Sequence, residues 1–297
     1  MRRSGPVRPK GTGRISGALR LADDITLAIN GPRTSTGMDP LIITATPNVS
    51  WLYPGVWYPK SAAEIADQAA VCVDAGASIV HVHAEGNWKE AIRSVRRKTT
   101  GILQCGMSSL PLQDRMEVFE EKADMISVML GHHDEAFARL DTHALHPREE
   151  LVEYMKLASR YRVKPEFEVW HSGSIWNLRF LAGKRIVSRP YFTTLFLGWP
   201  GGNWSPPTVE EYIYRRKLMP EKSVVSVSVM DRSQAEVLTV AITNGDHVRV
   251  GTEDNPFIGD RRATTPELVK WISGVSKAIG RPVASVDEAV RLIGVRR

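Results

Sequence analysis

Cysteine is scarce in this 297-residue chain: only Cys72 and Cys105 occur, and they do not form a C-x-x-C pair. That excludes a disulfide framework and a paired-thiol centre, and it points to a reducing, cytoplasmic compartment. No run of about 18 apolar residues is present, so no transmembrane helix and no membrane partner are expected. Met1-Arg2-Arg3 is not followed by an apolar segment, so no secretory signal is expected either. No G-x-G-x-x-G follows the first apolar strand, which argues against an open dinucleotide-binding sheet. The net charge is +6, but residues 1–40 hold seven Lys and Arg against three Asp, so much of the excess is local. A basic stripe interleaved with aromatic residues is missing, which excludes nucleic acid as an expected partner. A modest positive excess suits a small anionic substrate better.

What is present is the composition of a folded domain, 42% hydrophobic and 24% charged. Residues 1–40 read as an N-terminal extension, rich in Gly, Arg, Ser and Thr. Their one apolar run, Ile25–Ile29, suits an edge strand, an arm on a neighbouring subunit, or a partly disordered tail. From residue 41 a rhythm sets in. Strands are expected at 41–46, 78–83, 102–107, 125–130, 165–170, 191–197, 224–230 and 247–251. Helices are expected between them at 61–74, 88–98, 112–122, 147–161, 174–183, 208–217 and 233–244, then at 265–279. Ser61 with Glu64, and Ser285 with Glu288 near the C-terminus, have the spacing of capping boxes. Apolar runs such as Val224-Val225-Ser226-Val227 read as strands buried on both faces. Eight β-α units in residues 41–297 imply a catalytic (β/α)8 TIM barrel.

In such a barrel the chemistry sits at the carboxyl ends of the strands. The second strand ends His81-Val82-His83, and alternation puts both imidazoles on one face. Two histidines there can be two corners of a metal site, or two hydrogen-bonded polar residues at a strand terminus. The last strand runs into Arg249-Val250-Gly251-Thr252-Glu253-Asp254-Asn255. The eighth strand of a closed barrel lies beside the first, and the second strand is the next one round. Glu253 can therefore reach a metal held by His81 and His83, a two-His-one-carboxylate set suited to catalytic Zn²⁺. Arg249 must be paired if buried, with Asp254 or Glu166 as candidates. Glu166 and Glu168 share a face of the fifth strand, and two inward carboxylates need cations.

Several segments resemble the β-keto acid cleavage enzyme family, of which 3-keto-5-aminohexanoate cleavage enzyme is a member. They are Ile42–Ala45, Ala75–His83, Lys164–Val169, Leu197-Gly198, Gly201-Gly202, Gly245–Asn255 and Val283–Ala289. The likeness spans about residues 41–294. It implies a Zn-dependent barrel, usually a homotetramer, that combines a β-keto acid with acetyl-CoA and releases acetoacetate and a new acyl-CoA. Carried over by position, His81, His83 and Glu253 would hold the metal. Asp254 would be the general base tuned by Arg249, Glu166 would lie beside the metal, and Ser108 would contact substrate.

The chain departs from the family pattern in four places. Ala84-Glu85 follows the second histidine, where the family usually has Arg-Asp. Gln104–Ser109 replaces a Thr-Gly-Gly stretch, and Met129–His133 replaces small hydroxylated residues. Trp51 stands near the place where the amino-acid-cleaving member presents an acidic residue to the substrate amine. Trp51 suggests an apolar or aromatic acyl group, or a quaternary ammonium on Trp51, Trp57 or Tyr58 through cation–π contact. Thr46, at the end of the first strand, joins Ser108 and Trp51 as a substrate-binding candidate. For the CoA phosphates the candidates are the loop with Gly201 and Gly202, and Arg232 at the next helix start. A tight turn and an ordinary N-cap account for those residues equally well. His132 and His133 are expected to line the pocket or to hydrogen-bond within a loop. The changed loops keep one alternative open, a metal-dependent hydrolase or lyase that does not use CoA.

Overall fold

The computed structural model describes residues 38–84, 86–134, 143–200 and 204–297. The apolar run Ile25–Ile29 and the glycines Gly201 and Gly202 lie outside them. Eight parallel strands form a closed barrel. They are β1 (Ile43–Thr46), β2 (Ile79–Val82), β3 (Ile102–Cys105), β4 (Met125–Met129), β5 (Lys164–Val169), β6 (Tyr191–Leu197), β7 (Ser223–Val229) and β8 (His247–Gly251). Each pairs with its neighbour in chain order, and β8 closes on β1 with Thr44 beside Arg249. The expected TIM barrel is therefore the observed fold. Short hairpins decorate two loops: His132–Asp134 with His143–Leu145 after β4, and Phe257–Ile258 with Arg261–Arg262 after β8.

The helices are α1 (Ala62–Asp74), α2 (Trp88–Lys98), α3 (Met116–Glu120), α4 (Arg148–Tyr161), α5 (Ser172–Gly183), α6 (Val209–Leu218), α7 (Gln234–Thr243), α8 (Thr265–Ala278) and α9 (Val286–Ile293). Ser61 and Ser285 close the capping boxes that their spacing announced. The helix expected over 112–122 is shorter than its pattern. A 3₁₀ turn, Leu112–Arg115, precedes the five-residue α3, and the chain leaves it through Lys122 at φ 52. Arg115 ends that 3₁₀ turn wholly buried, its guanidinium donating to the carbonyls of Ser127 and Gly106, both at 2.8 Å.

The strands are not apolar on both faces. Outward positions such as Val80, Val82, Leu103, Val225, Val227 and Val250 pack under the helices in one large core. Alternate positions carry Thr44, His81, Gln104, Glu166, Thr194 and Arg249, all buried, so the barrel interior is polar at mid-height. In β7 the alternation is literal: valines 225, 227 and 229 face the helices, and serines 226 and 228 do not. At the amino end of the barrel the same alternation gives Ile42, Ile79, Ile102, Met125 and Phe192. These close a second core with Ala289 and Ile293 of α9. Among the described residues no helix is long and apolar enough to cross a membrane.

Candidate active site

The strand ends bring the two histidines and the distant glutamate into contact. His81 Nε2 and His83 Nε2 are 3.0 Å apart, and Glu253 offers Oε1 to His83 at 3.2 Å and Oε2 to His81 at 3.6 Å. All three side chains are buried, and one ligand atom from each lies within 4.8 Å of the others. Among the described residues this is the one His, Cys, Asp or Glu group able to hold a metal ion. The ring orientation is set from behind. His81 Nδ1 lies 3.0 Å from Gln104 Oε1, and His83 Nδ1 lies 2.9 Å from Met107 Sδ, so each ring is held at its rear nitrogen and each Nε2 faces inward. Asn48 takes hold of the His83 backbone at both ends. Its Nδ2 donates to the carbonyl at 2.6 Å and its Oδ1 accepts from the N–H at 3.0 Å.

Three acceptors converging in a buried space call for a cation. Glu253 Oε2 has no hydrogen-bond partner. A Cβ added at Gly106 would lie 2.5 Å from His83 Nε2 and 2.6 Å from His81 Nε2, so glycine keeps open the space these nitrogens face. The donor set therefore fits a divalent metal on chemistry and on room.

Arg249 lies next to this cluster and is bidentate to Asp254, with Nε to Oδ2 at 2.9 Å and Nη2 to Oδ1 at 3.0 Å. It also donates to Glu253 Oε1 at 2.7 Å. The loop after β8 makes this possible. Gly251 passes β1 so closely that a Cβ there would lie 2.1 Å from Thr46 Oγ1. The next turn is tied down by Asn255 N–H to Gly251 O at 3.0 Å and Glu253 N–H to Thr46 O at 3.4 Å.

Burial and charge set the protonation states. Burial, reinforced by Arg249, holds His81 well below the ordinary histidine value, so its ring is neutral. Burial alone would raise Glu253, but the Arg249 guanidinium above all outweighs it and holds the carboxyl well below the usual range. Asp254 is raised above its ordinary value by burial, against the pull of Arg249. Glu166 is pushed up to about 8, by burial first and by neighbouring Glu168 next. Its Oε1 accepts from the Thr194 hydroxyl, while its Oε2 has no partner. Arg249 pairs with Asp254 and Glu253 rather than through a hydrogen bond to Glu166, although Glu166 feels its charge.

The remaining candidates are spread around the mouth. Ser108 donates to Glu168 Oε2 at 2.5 Å, and the Trp170 indole N–H donates to the same oxygen at 3.1 Å. Trp51 presents its ring edge-on to His83, with centroids 6.0 Å apart. Thr46 is fully buried between β1 and β8 with its hydroxyl unpartnered, so its visible task is to fix the Glu253 loop through its carbonyl. Arg232 is exposed, paired with Asp260 at 2.5 Å and lying over Phe257 at 4.5 Å. Trp57 is 63% exposed and lines a separate cleft of about 220 Å³ with Gln68 and Glu267, and Tyr58 lies under Lys60. His133 packs against Trp170 and Trp199, at 4.2 and 5.3 Å. Three positioning residues were not anticipated: Asn48, Arg115 and Arg215, the last donating to the carbonyls of Val169 and Phe196. A side chain that holds backbone carbonyls leaves no spacing pattern to read.

Residues 25–295 match the profile of the family described as beta-keto acid cleavage enzyme. The 3-keto-5-aminohexanoate cleavage enzyme of Acetoanaerobium sticklandii is 28% identical over 259 residues, which covers 80% of this chain and 92% of that one. The 3-oxoadipate:acetyl-CoA acetyltransferase of Cupriavidus necator is 22% identical over 258 residues, covering 80% and 88%. Among solved structures, the complex of ObcA with oxaloacetate superposes with a TM-score of 0.65 at 14% identity. It covers 81% of this chain and 68% of that one, a likeness of fold.

Proposed function

The chain belongs to the beta-keto acid cleavage enzyme family, and from that premise we propose that it is a zinc-dependent acyltransferase that exchanges acyl groups between a β-keto acid and acetyl-CoA. The products are acetoacetate and a new acyl-CoA. The observation that carries this reading is the contact of the His81–His83–Glu253 donors with the Arg249–Asp254 pair through one shared carboxylate, Glu253. The names of relatives that act with acetyl-CoA support the co-substrate.

His81, His83 and Glu253 would hold the zinc, which when bound supplies Lewis acidity to a keto oxygen and a charge for the substrate carboxylate. Asp254, its basicity raised by burial, takes the proton from the carbon between the two carbonyl groups. That carbon then attacks the acetyl thioester and expels CoA thiolate. The thiolate attacks the original keto carbon, and the bond between that carbon and the former α-carbon breaks. Acetoacetate leaves after Asp254 returns the proton. Arg249 keeps Asp254 in place and offsets negative charge as it develops on oxygen. Glu166, protonated at neutral pH, adds no negative charge to those of Glu253 and Asp254. Ser108, aligned by Glu168, can present its oxygen to the substrate. Arg232, after β7, would meet a CoA phosphate if it left Asp260, and Gly201 and Gly202, outside the described residues, are the other candidates for that role. The reading extends to a cytoplasmic homotetramer.

Purified protein incubated with a panel of β-keto acids should form acetoacetate only when acetyl-CoA is present. Turnover of the panel without CoA would overturn the reading in favour of a hydrolase or lyase. Metal analysis should find about one zinc per chain, lost in His83→Ala; full zinc in that variant would refute the ligand assignment.

A further inference from the structure

Above the polar centre lies a cluster that the reaction itself does not use. Met129, Trp170, Phe196, Trp199 and Met230 pack together at the carboxyl ends of β4, β5, β6 and β7, and Trp51 lies against them. The cluster is continuous with the reacting groups at both ends. Trp51 meets His83 edge-on at 6.0 Å, and the Arg249 guanidinium lies over Phe196 at 4.9 Å. Trp170, Phe196 and Trp199 are 7%, 1% and 5% exposed, so half-buried Trp51 is the aromatic side chain that a substrate held at His81, His83 and Glu253 would meet, and the others back it.

We propose that the acyl group of the substrate is uncharged and apolar, an aromatic or bulky aliphatic group, selected by Trp51, which the Trp170–Phe196–Trp199 wall backs. The inference rests on the acyl-transfer reading above. The wall is a poor cage for an ammonium group. Phe196 is stacked on Trp170 at 4.0 Å with 11° between planes, and Arg249 already lies over Phe196. Trp199 meets Trp170 edge-on at 5.4 Å, and His133 takes a further place on both rings. A cation is held best by bare ring faces, and these faces are covered by one another and by a positive charge. The carboxylate touching the cluster, Glu168, accepts from Ser108 and from the Trp170 indole, both neutral donors. The guanidinium that lies over Phe196, Arg249, gives Nε and Nη2 to Asp254 and Glu253, which leaves it Nη1 alone for a second substrate carboxylate. Apolar surface at this point favours a matching acyl group by the area that both remove from water.

The test gives the enzyme and acetyl-CoA three β-keto acids of similar size, with a phenyl, a trimethylammonium or a carboxylate terminus. Acetoacetate formation is measured alongside quenching of tryptophan fluorescence by each acid without acetyl-CoA. The phenyl acid is expected to have the highest kcat/KM, by about 10- to 100-fold. Trp51→Ala should remove most of that preference and Trp51→Phe should restore it; Trp51 is a half-buried loop residue, so both variants are expected to fold. Faster turnover of either charged acid overturns the inference and leaves the acyl-transfer reading standing. No acetoacetate from any acid, with quenching by the phenyl acid that Trp51→Ala abolishes, supports the apolar subsite and sinks the reaction. Neither turnover nor quenching by the phenyl acid overturns both.

Discussion

The two ends of this barrel are built from the same strands and do opposite things. At the amino end the inward positions are Ile42, Ile79, Ile102, Met125 and Phe192, and α9 closes over them with Ala289 and Ile293. Two residues further along, the inward positions are Thr44, His81, Gln104, Ser127 and Thr194, and from there the interior is polar up to the histidines and Glu253. One pleat repeat separates an apolar plug, driven by water exclusion, from a set of side chains able to hold a cation. The strand period allows this, because every inward residue has an inward neighbour two positions on and a helix-facing valine or leucine between them. Stability is thus concentrated below and beside the site, and the mouth can hold costly buried charge.

This division can be broken from either end. The largest expected effect is on activity: His83→Ala should lower kcat/KM about 10³-fold or more while the unfolding midpoint of the metal-free protein stays near that of the parent. Loss of fold in that variant would show that the donors also hold the barrel together. At the other end, Phe192→Ala should remove about 3–4 kcal/mol of unfolding free energy in urea and leave kcat at 20 °C within about twofold of the parent. A large loss of kcat would mean that the plug shapes the mouth. Gln104→Leu tests the layer between them. It removes the acceptor behind His81 and should weaken metal affinity about 10- to 100-fold by competition with a chelator, with a small change in stability. Ser285→Ala removes the N-cap of α9 and should cost about 1 kcal/mol, read as a fall in Tm of a few degrees, with activity untouched.

The last effect changes a slope rather than a level. Glu166 is raised by burial and by Glu168 to about 8 in the folded chain. The folded state then holds a proton that the unfolded chain has released, so stability is full below the ordinary carboxyl value near 4.5 and falls as pH rises toward 8. In chelator-treated protein the urea midpoint should decline over that window, and Glu166→Gln should flatten the decline. An unchanged slope in the variant would assign the titration elsewhere.

Much of this molecule was legible from its residues. The β-α rhythm located all eight strands, and His81, His83, Glu253, Arg249 and Asp254 were brought together as their motifs implied. What was hidden had physical reasons. The strands read as wholly apolar because outward valines are dense enough to mask the polar residues between them. Arg115 and Arg215 hold backbone carbonyls, and any carbonyl will serve, so no partner type appears in the sequence. The aromatic wall draws single residues from β4 to β7 and their loops, and only closure of the barrel makes them neighbours. Trp51 lies beside His83, but the sequence did not separate it from Trp57 and Tyr58. The loop turns Trp57 outward into the cleft with Gln68 and leaves Tyr58 under Lys60.

Asn48 carries a consequence for how this site can change. The β2 ladder ends at Val82, so His83 stands just past the last strand residue. Its main chain is gripped on both polar groups by one amide side chain from the first loop. That amide takes the place of a neighbouring strand and decouples the second ligand from the chain that follows. Residues after His83 can then be replaced, as Ala84-Glu85 have been relative to the family pattern, while the donor keeps its bearing. The barrel thereby separates the geometry of its candidate metal corner from the wording of its loops, and new substrates can be sampled without rebuilding that centre.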